Sequence, residues 1–367
     1  MRMDTDAKDF EEILEEAASG ESEPTIVERL LQARGEELLL LAKRADEIRK
    51  KQVGETVTYV INRNINFTNV CVNNCRFCAF RRRPNDPDAF VLNPSEIKQK
   101  VREALNLGAT EVCLQGGIHP HLRLNYYVEL LQSIREVSED IHIHAFSPQE
   151  IFSIAEKEGM TIEEVLRVLR REGLDSMPGT AAEILSDRVR NLICPKKIKT
   201  KEWVEIIETA HRLGIPTTAT IMYGTVESAR ERAEHLLIIR EIQRRTGGFT
   251  EFIPLPFVGS KTELSKKIKG PSLMDSLRLH AVARIVLGKC IRNLQASWVK
   301  LGPRGAQLML LAGANDLGGV LLEENITREA GGKWGQYMPP ERIRELAVEI
   351  GREPAQRSTL YEILEFF

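Results

Sequence analysis

The stretch TYVINRNINFTNVCVNNCRFCAF, residues 58–80, joins a β-rich run to three closely spaced cysteines. Residues 58–67 carry β-branched and aromatic side chains and are predicted to form a strand. Cys71, Cys75 and Cys78 follow at once, so they fall on the loop after it. Downstream the pattern continues, with candidate strands at EVCLQG (111–116), IHIHAF (141–146), near GLDSM (173–177), TTATIMY (217–223), FTEFIPL (249–255), NLQASW (293–298) and QLMLLAG (307–313). Amphipathic helical stretches lie between them, among them PSEIKQKVREALNLG, NYYVELLQSIREVSE and GTVESARERAEHLLIIREIQRRTGG. Helices between successive strands imply right-handed crossovers and a parallel sheet. Eight such units over about 260 residues fit an α/β fold of the (β/α)8 TIM type better than two doubly wound domains. The cysteine loop then lies at the face where barrel enzymes place their chemistry.

Residues 1–57 read as a charged N-terminal helical extension. In ERLLQARGEELLLLAKRADEIRKKQVGE apolar residues recur at three- and four-residue spacing, and Gly54 closes the run. The barrel is assigned to residues 58–338 and a helical C-terminal tail, opening with PPERIRELAVEIG, to residues 339–367. The 367 residues hold 51 Lys and Arg against 53 Asp and Glu, a formal net charge of −2. That balance gives no global field for nucleic acid or an anionic membrane. No apolar run reaches the ~18–20 residues of a bilayer span, and the acidic N-terminus lacks a secretory apolar segment. A cytoplasmic enzyme with neither a nucleic-acid nor a membrane partner is expected.

Three thiolates within eight residues can converge on one inorganic centre. Structural zinc wants four ligands, as does a ferredoxin-like [4Fe–4S] cluster. No fourth cysteine or histidine lies within thirty residues after Cys78. Three ligands leave one iron open to bind something else. Cys113, Cys194 and Cys290 stand alone and read as small buried residues. His142 and His144, one alternation apart, point to one face of a strand. They fit a catalytic metal pair of a barrel hydrolase, a polar lining of the barrel mouth, or a substrate contact by His144.

The C-x3-C-x2-C spacing of Cys71, Cys75 and Cys78 resembles the signature of the radical S-adenosylmethionine (SAM) superfamily. The resemblance implies a [4Fe–4S] cluster on these three residues, SAM on the open iron, and a 5′-deoxyadenosyl radical released on reduction. Phe77 matches the aromatic position near the adenine. Gly116 and Gly117 in LQGGIHP, with Ile118, match the backbone contacts to SAM, although a Gly pair also serves a plain turn. Glu183 in PGTAAEIL matches a carboxylate facing the SAM amine or ribose, and equally reads as an exposed helix Glu. TIMYGTVE (220–227) partly matches an adenine motif, with Gly224 at the turn and Glu227 in the next helix; Thr220 stands where its first glycine is expected. The run Arg81–Arg83 reads as a solvated face, or as charge that offsets the cluster or docks an acidic electron donor.

Over nearly the whole chain, NRNINFTNVC, FCAF, HAFSPQEI, AHRLGIPTTATIMYG, QASWVKLG and AGANDLGG resemble one subfamily, that of the futalosine enzymes and the FO synthase subunits. SMPGTAAEIL, FIPLPF and GANDLGGVLLEENITREAG are most similar to the CofH family of FO synthase subunits, with the dehypoxanthine futalosine cyclases second. Thr225 departs from the His common there. The resemblance implies L-tyrosine and 5-amino-6-(D-ribitylamino)uracil as substrates, with the 4-hydroxybenzyl fragment of tyrosine joined to the pyrimidine on the way to coenzyme F420. It also implies a CofG-like radical SAM subunit and an electron donor such as ferredoxin or flavodoxin. Gln295, Ser297, Asn315 and Asp316 offer polar groups suited to a uracil and a polyol. Barrel packing accounts equally for the first two, and a tight turn between Gly313 and Gly318 for the others.

Overall fold

A computed structural model describes residues 9–367. The strand expected at 58–67 forms as two, Thr56–Val60 (β1) and Asn62–Asn66 (β2), parted at Ile61. β2 pairs in parallel with Glu111–Gln115 (β3), and β3 with His142–Ala145 (β4). Ser176 and Met177 make a minimal fourth position, bridged to His144 on one side and Thr217 on the other. Thr217–Tyr223 (β5) pairs with Phe249–Pro256 (β6), and bridges at Leu294 and Gln295 carry the ring on to Asp316–Gly319 (β7). β7 pairs in parallel with β1 and closes the barrel.

The helical stretches form at Pro94–Asn106, Leu124–Arg135 and Ala229–Thr246. Two of them start with reciprocal capping boxes, Asn93 with Glu96 and Ser228 with Glu231, which satisfy amides left free at a helix start. QLMLLAG corrects the expected strand order: it lies in the helix Pro303–Leu310 and its C-terminal cap, with Pro303 at the first turn. The last ring strand is instead DLGG, whose glycines hide it from strand propensity. They are there for close approach, since a Cβ on Gly318 would meet Gln295 Nε2 and one on Gly319 would meet Asn62 Oδ1.

Helices Phe10–Ser19, Pro24–Leu30 and Glu36–Val53 precede the ring and pack against Ala229–Thr246 and Leu273–Leu287 on its outside. The first eight residues of the predicted extension lie outside the described residues. The tail begins with the expected helix, Pro340–Val348, and then turns to strand. Glu353–Arg357 (β8) pairs in parallel with β1, and Ile363–Phe366 (β9) antiparallel with β8. Its side chains cross the barrel floor: Arg357 reaches Asp316 on β7, Thr359 donates to Glu111 on β3, and Tyr361 donates to Glu251 on β6. Among the described residues no helix is long and apolar enough to cross a membrane.

Candidate active site

The cysteine loop leaves β2 and is laced to its surroundings before the first thiol. Thr68 donates to the Phe90 carbonyl at 2.6 Å, and Asn69 exchanges bonds with Asp88 and Phe90. Cys71 N–H donates to the Arg82 carbonyl, and the Arg82 guanidinium gathers the carbonyls of Ala79, Phe80 and Arg81. Arg82 is thus spent on the loop, while Arg81 lines the cavity beside it. The Gly pair presses on the same loop. A Cβ on Gly116 would stand 2.4 Å from the Phe67 ring, and one on Gly117 would stand 2.3 Å from the Val70 carbonyl oxygen. Only glycine lets this backbone come so near the cysteines.

Cys71, Cys75 and Cys78 line one cavity of about 240 Å³ together with Phe77, Gly116, Gly117, Ile118 and Glu183. Burial pushes the Cys75 and Cys78 thiols up, so they are protonated until a metal centre takes the proton's place. No three His, Cys, Asp or Glu side chains among the described residues are grouped to hold a single metal ion.

Facing Cys75 is Lys197. Its ammonium pairs with Glu183 at 2.5 Å and stands 5.6 Å over the Phe77 ring. Burial alone would lower its pKa, but Glu183 and Cys75 raise it above an ordinary lysine. Glu183 has φ 46° and Ala181 φ 63°, a left-handed backbone that non-glycine residues adopt at a cost of order 1–3 kcal/mol. The third buried charge is Glu150. It closes a capping box with Ser147 and also accepts the Gly116 N–H at 3.1 Å, so one carboxylate fixes a helix start and the Gly pair. Burial pushes its pKa up to about 7.

A second cavity of about 290 Å³ continues into the lumen and shares Gln115, Thr180, Thr220, Leu255 and Lys300 with the first. His144, Gln295 and Ser297 line it, as do Asn64 and Asn66. His142 and His144 both meet Ser176 Oγ at 2.7 Å. Burial holds His144 at a pKa of about 4, and lowers His142 too, which keeps both rings neutral at physiological pH.

Asn315 and Asp316 line neither cavity, which corrects their expected substrate role. Asn315 Oδ1 accepts from Arg284 and from Leu294 N–H, while Asp316 takes both arms of Arg357. Gly224 and Glu227 also stay outside. Glu227 is spent on the N–H groups of Gly224 and Thr225 and on Arg232, and it anchors the turn.

Relatives match this arrangement along most of its length. The chain is 56% identical over 88% of its length, and 92% of the relative's, to a 5-amino-6-(D-ribitylamino)uracil–L-tyrosine 4-hydroxyphenyl transferase of Archaeoglobus fulgidus. Transferases of the same name from Methanopyrus kandleri and Methanocaldococcus jannaschii are 54% and 52% identical over 88% and 89% of the chain, and 88% and 92% of their own. The chain belongs to this transferase family, within the radical SAM superfamily. The radical SAM superfamily model matches residues 65–239, and the CofH/MqnC C-terminal region matches residues 246–367. Among solved structures, methylornithine synthase (PylB) has TM-score 0.74 at 19% identity, covering 94% of this chain and 97% of its own. The [FeFe]-hydrogenase maturase HydG has TM-score 0.76 at 16% identity, covering 95% and 77%. These two share the barrel fold. Membership of the superfamily implies a [4Fe–4S] cluster and SAM, and the triplet at 71, 75 and 78 fits that requirement.

Three residues lining this candidate site are not legible as such in the sequence: Glu150, Lys197 and Lys300. Only Glu150 carries a readable signal, the S-x-x-E of its capping box, and that signal speaks for a helix start alone.

Proposed function

We propose that the chain carries out the 4-hydroxyphenyl transfer between L-tyrosine and 5-amino-6-(D-ribitylamino)uracil that its relatives are named for, by joining the 4-hydroxybenzyl fragment of tyrosine to the uracil. The observation that carries this reading is the pair of joined cavities. A cysteine-lined chamber opens through a shared wall into a polar lumen large enough to take up an organic substrate beside it.

Cys71, Cys75 and Cys78 hold the [4Fe–4S] cluster. When bound, cluster and SAM together would supply a 5′-deoxyadenosyl radical, the electron spent on cleaving SAM coming from the external reductant. Around them this chain's residues bind and orient. Gly116, Gly117 and Ile118 shape the wall against the amino acid end of SAM, Phe77 flanks the adenine, and Glu183 with Lys197 offers a fixed dipole to its charged groups. Lower down, the side chains of Gln295 and Ser297 make no hydrogen bond among the described residues and offer donors and acceptors to a pyrimidine edge and a ribityl chain. His144, neutral and tied to Ser176, donates or accepts one hydrogen bond there. Barrel walls keep water from the reacting carbon. A separate CofG-like subunit acts on the product, and a small reductant such as ferredoxin or flavodoxin supplies the electron.

Reconstitution under anaerobic conditions with SAM, reductant, tyrosine and the ribitylaminouracil tests the reading by mass spectrometry. A tyrosine-derived adduct is expected. Turnover of dehypoxanthine futalosine without any tyrosine adduct would replace it with the cyclase reading.

A further inference from the structure

Two cations line the lumen, Arg357 and Lys300. Arg357 is committed to Asp316 through both arms, Nε–Oδ2 at 2.6 Å and Nη2–Oδ1 at 3.0 Å. Lys300 forms no ion pair among the described residues. Its ammonium donates to Thr327 Oγ1 at 3.1 Å, and it stands on the wall shared by the two cavities. Burial pushes its pKa below that of an ordinary lysine, and the neighbouring Glu324 and Glu183 push the other way.

Glu324 also lines the lumen, and it hangs on the same threonine, accepting the Thr327 N–H at 2.8 Å. An ammonium and a carboxylate are therefore fixed on either side of Thr327 without pairing with each other. The segment that delivers Glu324 is strained, with Leu321 at φ 71° and Leu322 at φ 52°. Such backbone persists where the surrounding fold enforces it, commonly at ligand-binding sites. A buried ammonium with no direct ion pair keeps part of its desolvation cost, and an arriving anion removes it.

We infer that Lys300 and Glu324 form a subsite for the zwitterionic head of the amino acid substrate, Lys300 taking its α-carboxylate and Glu324 its α-ammonium. The inference rests on the tyrosine-using reaction proposed above and adds where tyrosine is held. In the upper cavity Lys197 already answers to Glu183 and Arg81 lines that cavity alone, which leaves Lys300 as the cation on the shared wall open to a second carboxylate. A head group held there sets the Cα–Cβ bond at the wall between the cavities, with the phenol ring directed into the lumen.

The test is equilibrium binding to the cluster-loaded, SAM-bound protein without reductant, using L-tyrosine, L-tyrosinamide and 3-(4-hydroxyphenyl)propanoate as probes. The wild-type protein should prefer tyrosine to both analogues by about tenfold or more. K300M should weaken tyrosine by about 10- to 100-fold and tyrosinamide, which has no carboxylate, by less than about threefold. K300R should keep most of the preference. E324Q should weaken tyrosine and tyrosinamide but hardly change the propanoate, which has no ammonium. A K300M protein with wild-type cluster absorbance that binds tyrosine as the wild type does would overturn the subsite. Should K300M fail to load its cluster, the E324Q ratios decide in the same way. Wild-type adduct formation is the separate arm. An adduct with unweakened K300M binding removes only the subsite, whereas no adduct removes the reaction it serves.

Discussion

At the floor of the barrel each charge has its answer. Asp316, fully buried, takes Arg357 in a bidentate pair and also accepts from Thr58; Arg357 lies 3.9 Å over the Tyr361 ring; Glu111 is met by Asn62 and Thr359. At the rim the charges are held but not used up. Lys300 has no ion-pair partner among the described residues, and Glu183 sits on left-handed backbone. Of the six non-glycine residues with positive φ among the described residues, Phe146, Ala181, Glu183, Leu321 and Leu322 fall on this upper side and Tyr361 at the floor. Both ends bury polar groups in one ring of strands. The floor satisfies them internally, which fixes the structure, and the rim leaves them to ligands, which stores capacity for chemistry.

That contrast breaks most sharply at the rim's cysteines. Cys75→Ala should abolish the brown colour of the anaerobically prepared protein and all reductive cleavage of SAM, with the fold kept as judged by far-ultraviolet circular dichroism. A colourless variant that still forms deoxyadenosine would end the comparison. At the floor the expected effect is on stability. Arg357→Met leaves Asp316 buried and unpaired, at a cost of about 3–5 kcal/mol, read as a fall in the denaturant midpoint. Adding Asp316→Asn should recover part of it, because the two sites share one interaction. An unchanged midpoint in the single variant would mean that the tail does not clamp the barrel.

Glu150 sharpens the comparison by pH. Its folded pKa, about 7, lies above the ordinary carboxylate value of 4.5, because burial penalises the charge. The folded state therefore holds more protons than the unfolded one between those values. Its contribution to stability is complete below about pH 4.5 and is lost as pH rises through about 7. Glu150→Gln should flatten that fall, on the order of 1–3 kcal/mol, in unfolding free energies compared at pH 5 and pH 8. An equal slope in both proteins would show that Glu150 is ionised throughout.

The sequence carried the ring in its alternating runs, because strands buried on both sides repeat a pattern that composition cannot hide. It carried the candidate cluster site because three cysteines at fixed spacing are rare by chance. What it could not carry were pairings set by the closed barrel. DLGG reads as a turn, since the glycines that admit Gln295 and Asn62 erase its strand propensity. Asn315 and Asp316 looked available because the partner of Asp316, Arg357, lies 41 residues away on a tail read as a helix. Lys197 sits in the basic run Lys196–Lys201 and Lys300 stands singly in a chain rich in charge, and nothing in their neighbours' identities announces burial. Their meaning arises only where the loops after the strands converge.

Lys197 offers the smallest expected effect and the finest division between the two ends. If it serves a ligand, as rim charges do, Lys197→Met should raise the KM for SAM about tenfold, and Lys197→Arg should restore most of that. If it behaves as a floor charge does, the loss appears in stability instead. Glu183 would then be left half-buried without its cation, and the denaturant midpoint would drop while SAM binding held. The 5.6 Å contact with the Phe77 ring favours the first outcome, because it ties the ammonium to the cysteine loop rather than to the barrel wall. Measuring both quantities on the same variant separates them. A fall in the midpoint with unchanged KM would move Lys197 and Glu183 from the site to the scaffold.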